Sequence, residues 1–315
     1  MSIKSHTKRA LAGITATAAL LLTVAACGFT GTAGGATRSG TAASGAGTTA
    51  ADGTIAVVAS INQWGSVAQD LGGEHVTVTN IMTKTNVEAH DYEPTAKDVA
   101  RFGSAQIAIV NGADYDPWAS KAAESTKATL VDAAETTGIK EGDNPHVWFS
   151  AKARSAAADA ITAAYQQADP AHKDDYAKLN QDWHAKEDRL EAKIKNVATK
   201  TANLPYAATE SVAWYLADDL KMTDATPQGY AQASANESEP TPADIKDFQD
   251  ALKAGDAKLL VLNTQESNST TEQITNAAKQ ADVPIVELTE QMPAKYGDLL
   301  DWMGALVDQF ATAAK

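Results

Sequence analysis

"AHKDDYAKLNQDWHAKEDRLEAKIKNVATK", residues 171–200, runs for thirty positions without a proline or a glycine. Tyr176, Leu179, Trp183, Leu190 and Ile194 recur at helical spacing, with charged residues over most of the other faces. Thirty helical residues span about 45 Å, the size of a domain rather than of a connector. The spacing predicts one long helix serving as a backbone between two halves of the protein. The alternative is a two-helix hairpin inside a single domain, because most helices in globular proteins are shorter than this.

On both sides of this segment, strand-like and helix-like runs alternate. "TIAVVAS" (54–60) is nearly continuous, apolar and β-branched, the mark of a strand covered on both faces. A helical stretch to about residue 72 follows, then "HVTVTNIM" (75–82), a helix from Thr95, "AQIAIVNG" (105–112), a helix through Trp118, "ATLVDAA" (128–134) and a helix from Ala151 to Gln167. Beyond residue 200 the alternation resumes with "YAATE" (206–210), "KLLVLNTQ" (258–265) and "PIVEL" (284–288), and it closes on a helix through Trp302. Such alternation argues for parallel sheets built from βαβ units. The expected fold is α/β: two (β/α) lobes, residues 54–170 and 201–315, joined by a spanning helix over 171–200, with the site in the cleft between the lobes.

The N-terminus has a different composition. Lys4, Lys8 and Arg9 precede a small-residue apolar stretch that ends "LLTVAAC" at Cys27. This is the layout of an export signal over residues 1–26, too short and alanine-rich to serve as a membrane span. Val24-Ala25-Ala26 before Cys27 resembles the bacterial lipoprotein box, in which the cysteine is acylated and becomes the mature N-terminus; an ordinary signal peptide with a chance cysteine is the alternative. Residues 27–53 are dominated by Gly, Ala, Ser and Thr, with no large hydrophobe after Phe29, and read as a flexible tether.

Charge narrows the function. The 315 residues carry 26 Lys plus Arg against 40 Asp plus Glu, a net charge of −14. A phosphate backbone repels such a surface, so nucleic acid is not an expected partner. With one cysteine there is no internal disulfide and no Cys-rich zinc site. HExxH, CxxC, GxSxG and P-loop signatures are absent.

Four side chains stand out as candidate ligands: His90 in "EAHDYEPTAKDVARF" (88–102), His146 in "NPHVWFS" (144–150), Glu210 in "YAATESVAWYL" (206–216) and Glu290 in "PIVELTEQMP" (284–293). His90, Glu210 and Glu290 fall at or just past the C-terminal ends of strand-like runs, and His146 lies in the loop before a helix. Ligands of open α/β sheets bind beyond the carboxyl ends of the strands, and two imidazoles with two carboxylates suit a borderline divalent metal. Each residue also has a plainer reading: the histidines as solvated loop residues, the glutamates as first-turn acids favoured by a helix dipole. His75, His172 and His184 are expected at the surface, and His6 leaves with the signal.

His90-Asp91-Tyr92-Glu93-Pro94-Thr95 with Asp98, together with "NGADYDPWASK" (111–121), "NPHVWFS", "ATESVAWYLADDL" (208–220), "LVLNTQ" (260–265) and the "VPIVELTEQMP" ending, resembles the metal-type (zinc/manganese, TroA-like) solute-binding lipoproteins of ABC importers. The similarity runs in order over residues 54–314. Glu210 stands where many members have His, and Ser211 and Trp214 depart from the commoner form of that block. The long His- and acid-rich loop of some zinc members is absent. The resemblance implies a non-enzymatic, monomeric receptor, lipid-anchored through Cys27 on the extracytoplasmic face of the cell membrane. It would bind one Mn²⁺ or Zn²⁺ through His90, His146, Glu210 and Glu290 and deliver it to a cognate ABC permease. Carboxylates that offer one or two oxygens tilt the expectation toward Mn²⁺. The competing readings are an adhesion or interaction lipoprotein, and a secreted metallohydrolase built on the same four ligands.

Overall fold

Ile55–Ile61, apolar apart from Ser60, form strand β1, and its last five residues are buried because both faces of the sheet are covered. In the computed structural model, which describes residues 53–87 and 92–314, β1 lies between β2 (Val76–Met82) and β3 (Ile107–Val110). With β4 (Thr129–Asp132) these make a parallel sheet in the order β2-β1-β3-β4. Helices α1 (Asn62–Gly72), α2 (Ala96–Ser104) and α3 (Pro117–Glu124) make the crossovers. Residues 1–52, which include the expected signal, Cys27 and almost all of the tether, lie outside the described residues, as does His90.

After α4 (Ala151–Ala168) and a short 3₁₀ turn over Pro170–His172, helix α5 runs unbroken from Lys173 to Thr201. Its 29 residues contain no sharp turn, so the hairpin alternative does not hold. The buried stripe is Tyr176, Trp183, Glu187, Leu190, Ile194, Val197 and Thr201, a spacing of mostly three and four that keeps one face inward. Leu179, expected in that stripe, is only half-buried.

The second sheet repeats the first. Strands β5 (Pro205–Ala208), β6 (Thr223–Asp224), β7 (Leu259–Asn263) and β8 (Ile285–Leu288) are parallel in the order β6-β5-β7-β8. Between and after them come α6 (Trp214–Asp219), α7 (Gln228–Ala235), α8 (Pro242–Ala254), α9 (Ser269–Gln280) and α10 (Leu299–Ala313). Strand β6 has two exposed residues and no apolar run, so no periodic signal marks it in the sequence. In each sheet the strand order switches from one side to the other at the central parallel pair, β1/β3 in one and β5/β7 in the other. Crevices at such points are where open α/β sheets bind ligands.

Helix α5 packs on α1 and α4 of the first half and on α6 and α10 of the second. One apolar core runs through both: Trp64, Trp148 and Tyr165 belong to it together with Trp183, Leu190, Val286, Trp302 and Phe310. A shared core of this kind resists wide hinge opening, because separating the halves would expose it to water. At the far end of α5, His75 is not the free surface residue expected; its half-buried ring stacks on His172 at 4.2 Å and meets Tyr176 edge-on.

Candidate metal centre

His146 sits in the loop between β4 and α4 and is 2% exposed. Asn111, fully buried just after β3, donates to Pro145 O at 2.8 Å and accepts from Trp64 Nε1 at 3.0 Å, which fixes the backbone beside the histidine. The edges of Tyr115 and Trp148 close around the imidazole. Its Nδ1 lies 2.9 Å from Asn144 Oδ1. Asn144 turns its amide nitrogen to Ser211 O at 2.8 Å, so its oxygen must face the ring and Nδ1 carries the proton. The lone pair is then on Nε2, 3.4 Å from Glu210 Oε1.

Glu210 follows β5 in extended backbone conformation, ahead of a 3₁₀ turn at Ser211–Ala213. Its side chain makes no capping hydrogen bond to that turn. Oε2 instead accepts from Asn263 Nδ2 at 2.6 Å. Glu290 lies two residues past β8, well before α10, and is completely buried. Its Oε1 accepts from the same Asn263 nitrogen at 2.9 Å, and its Oε2 accepts from Tyr115 Oη at 2.8 Å.

Tyr115 reaches Glu290 from the other half of the molecule, and an unusual turn carries it there. Gly112, Ala113 and Asp114 are successively left-handed, with φ of 78°, 51° and 63°. Such a conformation costs about 1–2 kcal/mol at each non-glycine residue. At Gly112 a Cβ would also stand 2.0 Å from the Asp132 carboxylate. Buried Asp116 anchors the turn by accepting from the amides of Asn111 and Gly112 at 2.8 and 2.9 Å. Burial pushes its carboxyl up to about 6 despite those bonds. Burial, and then the charge of Glu290, hold the Tyr115 phenol well above its usual range, so it stays a neutral donor.

One ligand atom each from His146, Glu210 and Glu290 lies within 4.8 Å of the other two, so one ion could meet all three. The structure brings together these three of the four residues singled out by sequence; the fourth, His90, is outside the described residues. Just after it the chain is firmly tied. Thr95 and Asp98 form a reciprocal cap on α2, and Tyr92 Oη donates to Asp98 at 2.9 Å. Burial pushes the Asp98 carboxyl up, but hydrogen bonds from Thr95 and Tyr92 outweigh it and hold it below its usual range. A cavity of about 650 Å³ is lined by His146, Glu210, Asp114, Glu141, Asp143, Glu237, Glu239 and Glu266. No Lys or Arg among the described residues lines it, so its field gathers cations.

Residues 57–313 match the family model described as zinc-uptake complex component A, periplasmic (ZnuA). The chain belongs to this family. Curated relatives of this ZnuA-family chain include the iron-binding protein YfeA of Yersinia pestis, 26% identical over 246 residues, which are 74% of this chain and 73% of that protein. The manganese-binding lipoprotein MntA of Bacillus subtilis is 30% identical over 138 residues, 41% of this chain and 45% of that one. Among solved structures, the periplasmic zinc-binding protein TroA of Treponema pallidum superposes with a TM-score of 0.71, covering 83% of this chain and 99% of that one. At 18% identity this is a likeness of fold.

ZnuA-family proteins are metal-binding, substrate-binding components of ABC transporters and not enzymes, so the metallohydrolase reading is set aside. The two parallel-sheet lobes and the long central helix match the fold of TroA and ZnuA. Sequence reasoning assigned no role to Asn144, Asn263 or Tyr115. A signal was present for Asn263, since a polar amide ends the otherwise apolar "LLVLN" and is 1% exposed.

Proposed function

We propose that this ZnuA-family chain captures one divalent transition metal, Zn²⁺ or Mn²⁺, between lobes 54–170 and 201–315 and delivers it to a cognate ABC permease. The observation that carries this reading is the convergence of His146, Glu210 and Glu290, whose ligand atoms lie within 4.8 Å of one another. In the proposed shell they act with His90, whose motif also falls just past a strand. The lobes share one core along α5, so release to the permease proceeds through small relative movements rather than wide opening.

Lipid on Cys27 holds the receptor, as a monomer, at the extracytoplasmic face of the cell membrane. No helix among the described residues is long and apolar enough to cross a membrane, and an acyl anchor with a flexible tether meets the same need. Changing Cys27→Ala releases the protein from the membrane fraction or leaves its precursor unprocessed; normal cleavage with full retention overturns the anchor.

Elemental analysis of protein purified without added metal, followed by competition titration, tests capture itself. His90→Ala and His146→Ala each lower affinity by more than the roughly 10–100-fold of an outer-sphere change. His184, hydrogen-bonded to Asp159 on the surface side of α5, is the control and leaves affinity unchanged. Equal losses in all three variants overturn the assignment, and adhesion is separated by the same variants, because it survives loss of the metal ligands.

A further inference from the structure

Glu210 and Glu290 are not free to choose how many oxygens they present. We infer that Asn263 and Tyr115 are specificity-determining residues that hold both carboxylates to one oxygen each, so that the centre favours four-coordinate Zn²⁺ over Mn²⁺. The inference rests on the proposed capture of a divalent metal by His90, His146, Glu210 and Glu290.

The amide of Asn263 has one possible orientation. Its Oδ1 accepts from the backbone N–H of Gln265 at 3.0 Å, so Nδ2 must point at the carboxylates. The two hydrogens on Nδ2 are divided, one to Glu210 Oε2 at 2.6 Å and one to Glu290 Oε1 at 2.9 Å. On Glu210 this leaves Oε1 as the oxygen that faces His146 Nε2 at 3.4 Å. On Glu290 both oxygens carry a donor, because Tyr115 Oη holds Oε2 at 2.8 Å. Each carboxylate oxygen keeps a second lone pair beside the one its donor occupies, so one oxygen of each glutamate can still meet the ion. Bidentate binding needs both oxygens to turn toward the ion together, which pulls them off donors that are held fixed inside a buried site. An unmade buried bond of this kind is costly, more so when the acceptor is charged.

Neither donor can drift away easily. Asn263 is 1% exposed, and its backbone N–H donates to Thr209 Oγ1 at 3.1 Å. The Tyr115 oxygen accepts from Gln291 Nε2 at 3.0 Å, and Gln291 Oε1 accepts in turn from Gln265 at 2.6 Å. The network closes on itself, running from Asn263 through Gln265, Gln291 and Tyr115 to Glu290 and back. Two imidazole nitrogens and two single carboxylate oxygens make four donors, the number that Zn²⁺ takes in closed sites. Mn²⁺ favours a larger shell richer in oxygen, and the clamp withholds those oxygens. The tilt toward Mn²⁺ expected from flexible carboxylates is thus reversed by residues that contribute no ligand atom.

The test uses the full chain, stripped of metal, with Zn²⁺, Mn²⁺ and Co²⁺ as probes. Wild-type protein loaded with Co²⁺ should give the intense visible bands of a tetrahedral site. In Asn263→Ala and in Tyr115→Phe those bands weaken, and the ratio of Zn²⁺ to Mn²⁺ affinity falls by about tenfold or more, the scale of outer-sphere changes. Tyr115→Phe removes one hydroxyl from a packed ring and keeps the proposal testable if Asn263→Ala folds poorly. A purely structural role would lower both affinities together and leave the spectrum of the bound fraction unchanged; that result overturns the inference. So does a weak, six-coordinate Co²⁺ spectrum in the wild type, with metal capture still standing. Absence of His146-dependent binding to any of the three ions would instead sink the proposed function.

Discussion

Asn144 holds His146 from two directions: its Oδ1 accepts from the histidine backbone N–H at 3.0 Å and from the ring Nδ1 at 2.9 Å. The same asparagine reaches Ser211 with its amide, and its carbonyl accepts from Tyr215 Oη at 2.8 Å. One residue therefore sets the tautomer of the candidate ligand and ties it to the lobe that carries Glu210. Outer partners of this type orient a ligating imidazole and raise its basicity. Asn144→Ala is expected to weaken metal affinity by about 10–100-fold with little change in the folded structure. Competition titration with a circular-dichroism control checks it; an affinity equal to wild type would mean that ring orientation is set elsewhere.

Acidification should release the metal. A protonated imidazole has no lone pair to give, and ligating carboxylates also compete with protons, so binding expels protons and affinity falls as pH is lowered. Proton release on metal addition, followed in weakly buffered solution, provides the measurement. Metal uptake that releases no protons would show that the ion is not held by groups that compete with protons.

Glu187 is the single charged residue in the buried stripe of α5, and it forms a two-point ion pair with Arg154 of α4, at 2.6 and 3.1 Å. Arg154 also donates to Trp148 O at 3.0 Å, and the Trp148 ring lies against His146. Both charged side chains are almost wholly out of water. Truncating one partner strands the other charge, so Glu187→Ala is expected to cost about 3–5 kcal/mol, whereas an apolar replacement of both partners costs far less. Denaturant titration of the single and double variants measures this. A single variant that loses under about 1 kcal/mol would place water at the pair.

What the sequence could reveal follows from how far each signal reaches along the chain. The long helix was legible because thirty residues without Pro or Gly leave one apolar stripe, and seven strands were legible as apolar or β-branched runs. Strand β6 was not, having only two exposed residues. His146, Glu210 and Glu290 could be found because strand ends are where α/β sheets bind. Tyr115 and Glu290 are 175 positions apart and their hydrogen bond leaves no periodic trace. Glu187 fits the helical stripe by spacing, yet a charge reads as solvent-facing until its partner is seen.

Replacing Glu210 by histidine tests selectivity from the ligand side. The change removes a negative charge and the oxygens that Asn263 and the ion share, and it supplies a nitrogen suited to four-coordinate zinc. Mn²⁺, lowest in the Irving–Williams order, loses most from the missing oxygen and charge. The ratio of Zn²⁺ to Mn²⁺ affinity should rise in Glu210→His, chiefly through weaker Mn²⁺ binding. A flat or falling ratio on metal-free protein would remove Glu210 from the residues that set selectivity.

Asp70 of α1 lies beside Asp298, which caps α10 by accepting from the amides of Leu300 and Asp301 at 2.7 and 3.3 Å. Lys186 of the spanning helix bonds to Asp298 at 3.1 Å and attracts Asp70 as well. Burial, and then the repulsion from Asp298, push the Asp70 carboxyl up from 3.8 to about 6, Lys186 offsetting only part of the rise. Between these two values the folded protein keeps a proton that the unfolded chain has released, so stability falls as pH rises through that window and levels off above it. An amide at this position resembles the protonated acid and never ionises. Asp70→Asn should therefore match wild type near pH 4, gain on it as pH rises toward 6, and hold a constant lead above that. Melting temperatures of the two proteins at half-unit steps from pH 4 to 7.5 give the comparison. A difference that stays level over the whole range would mean that Asp70 is ionised throughout and that Lys186 outweighs Asp298.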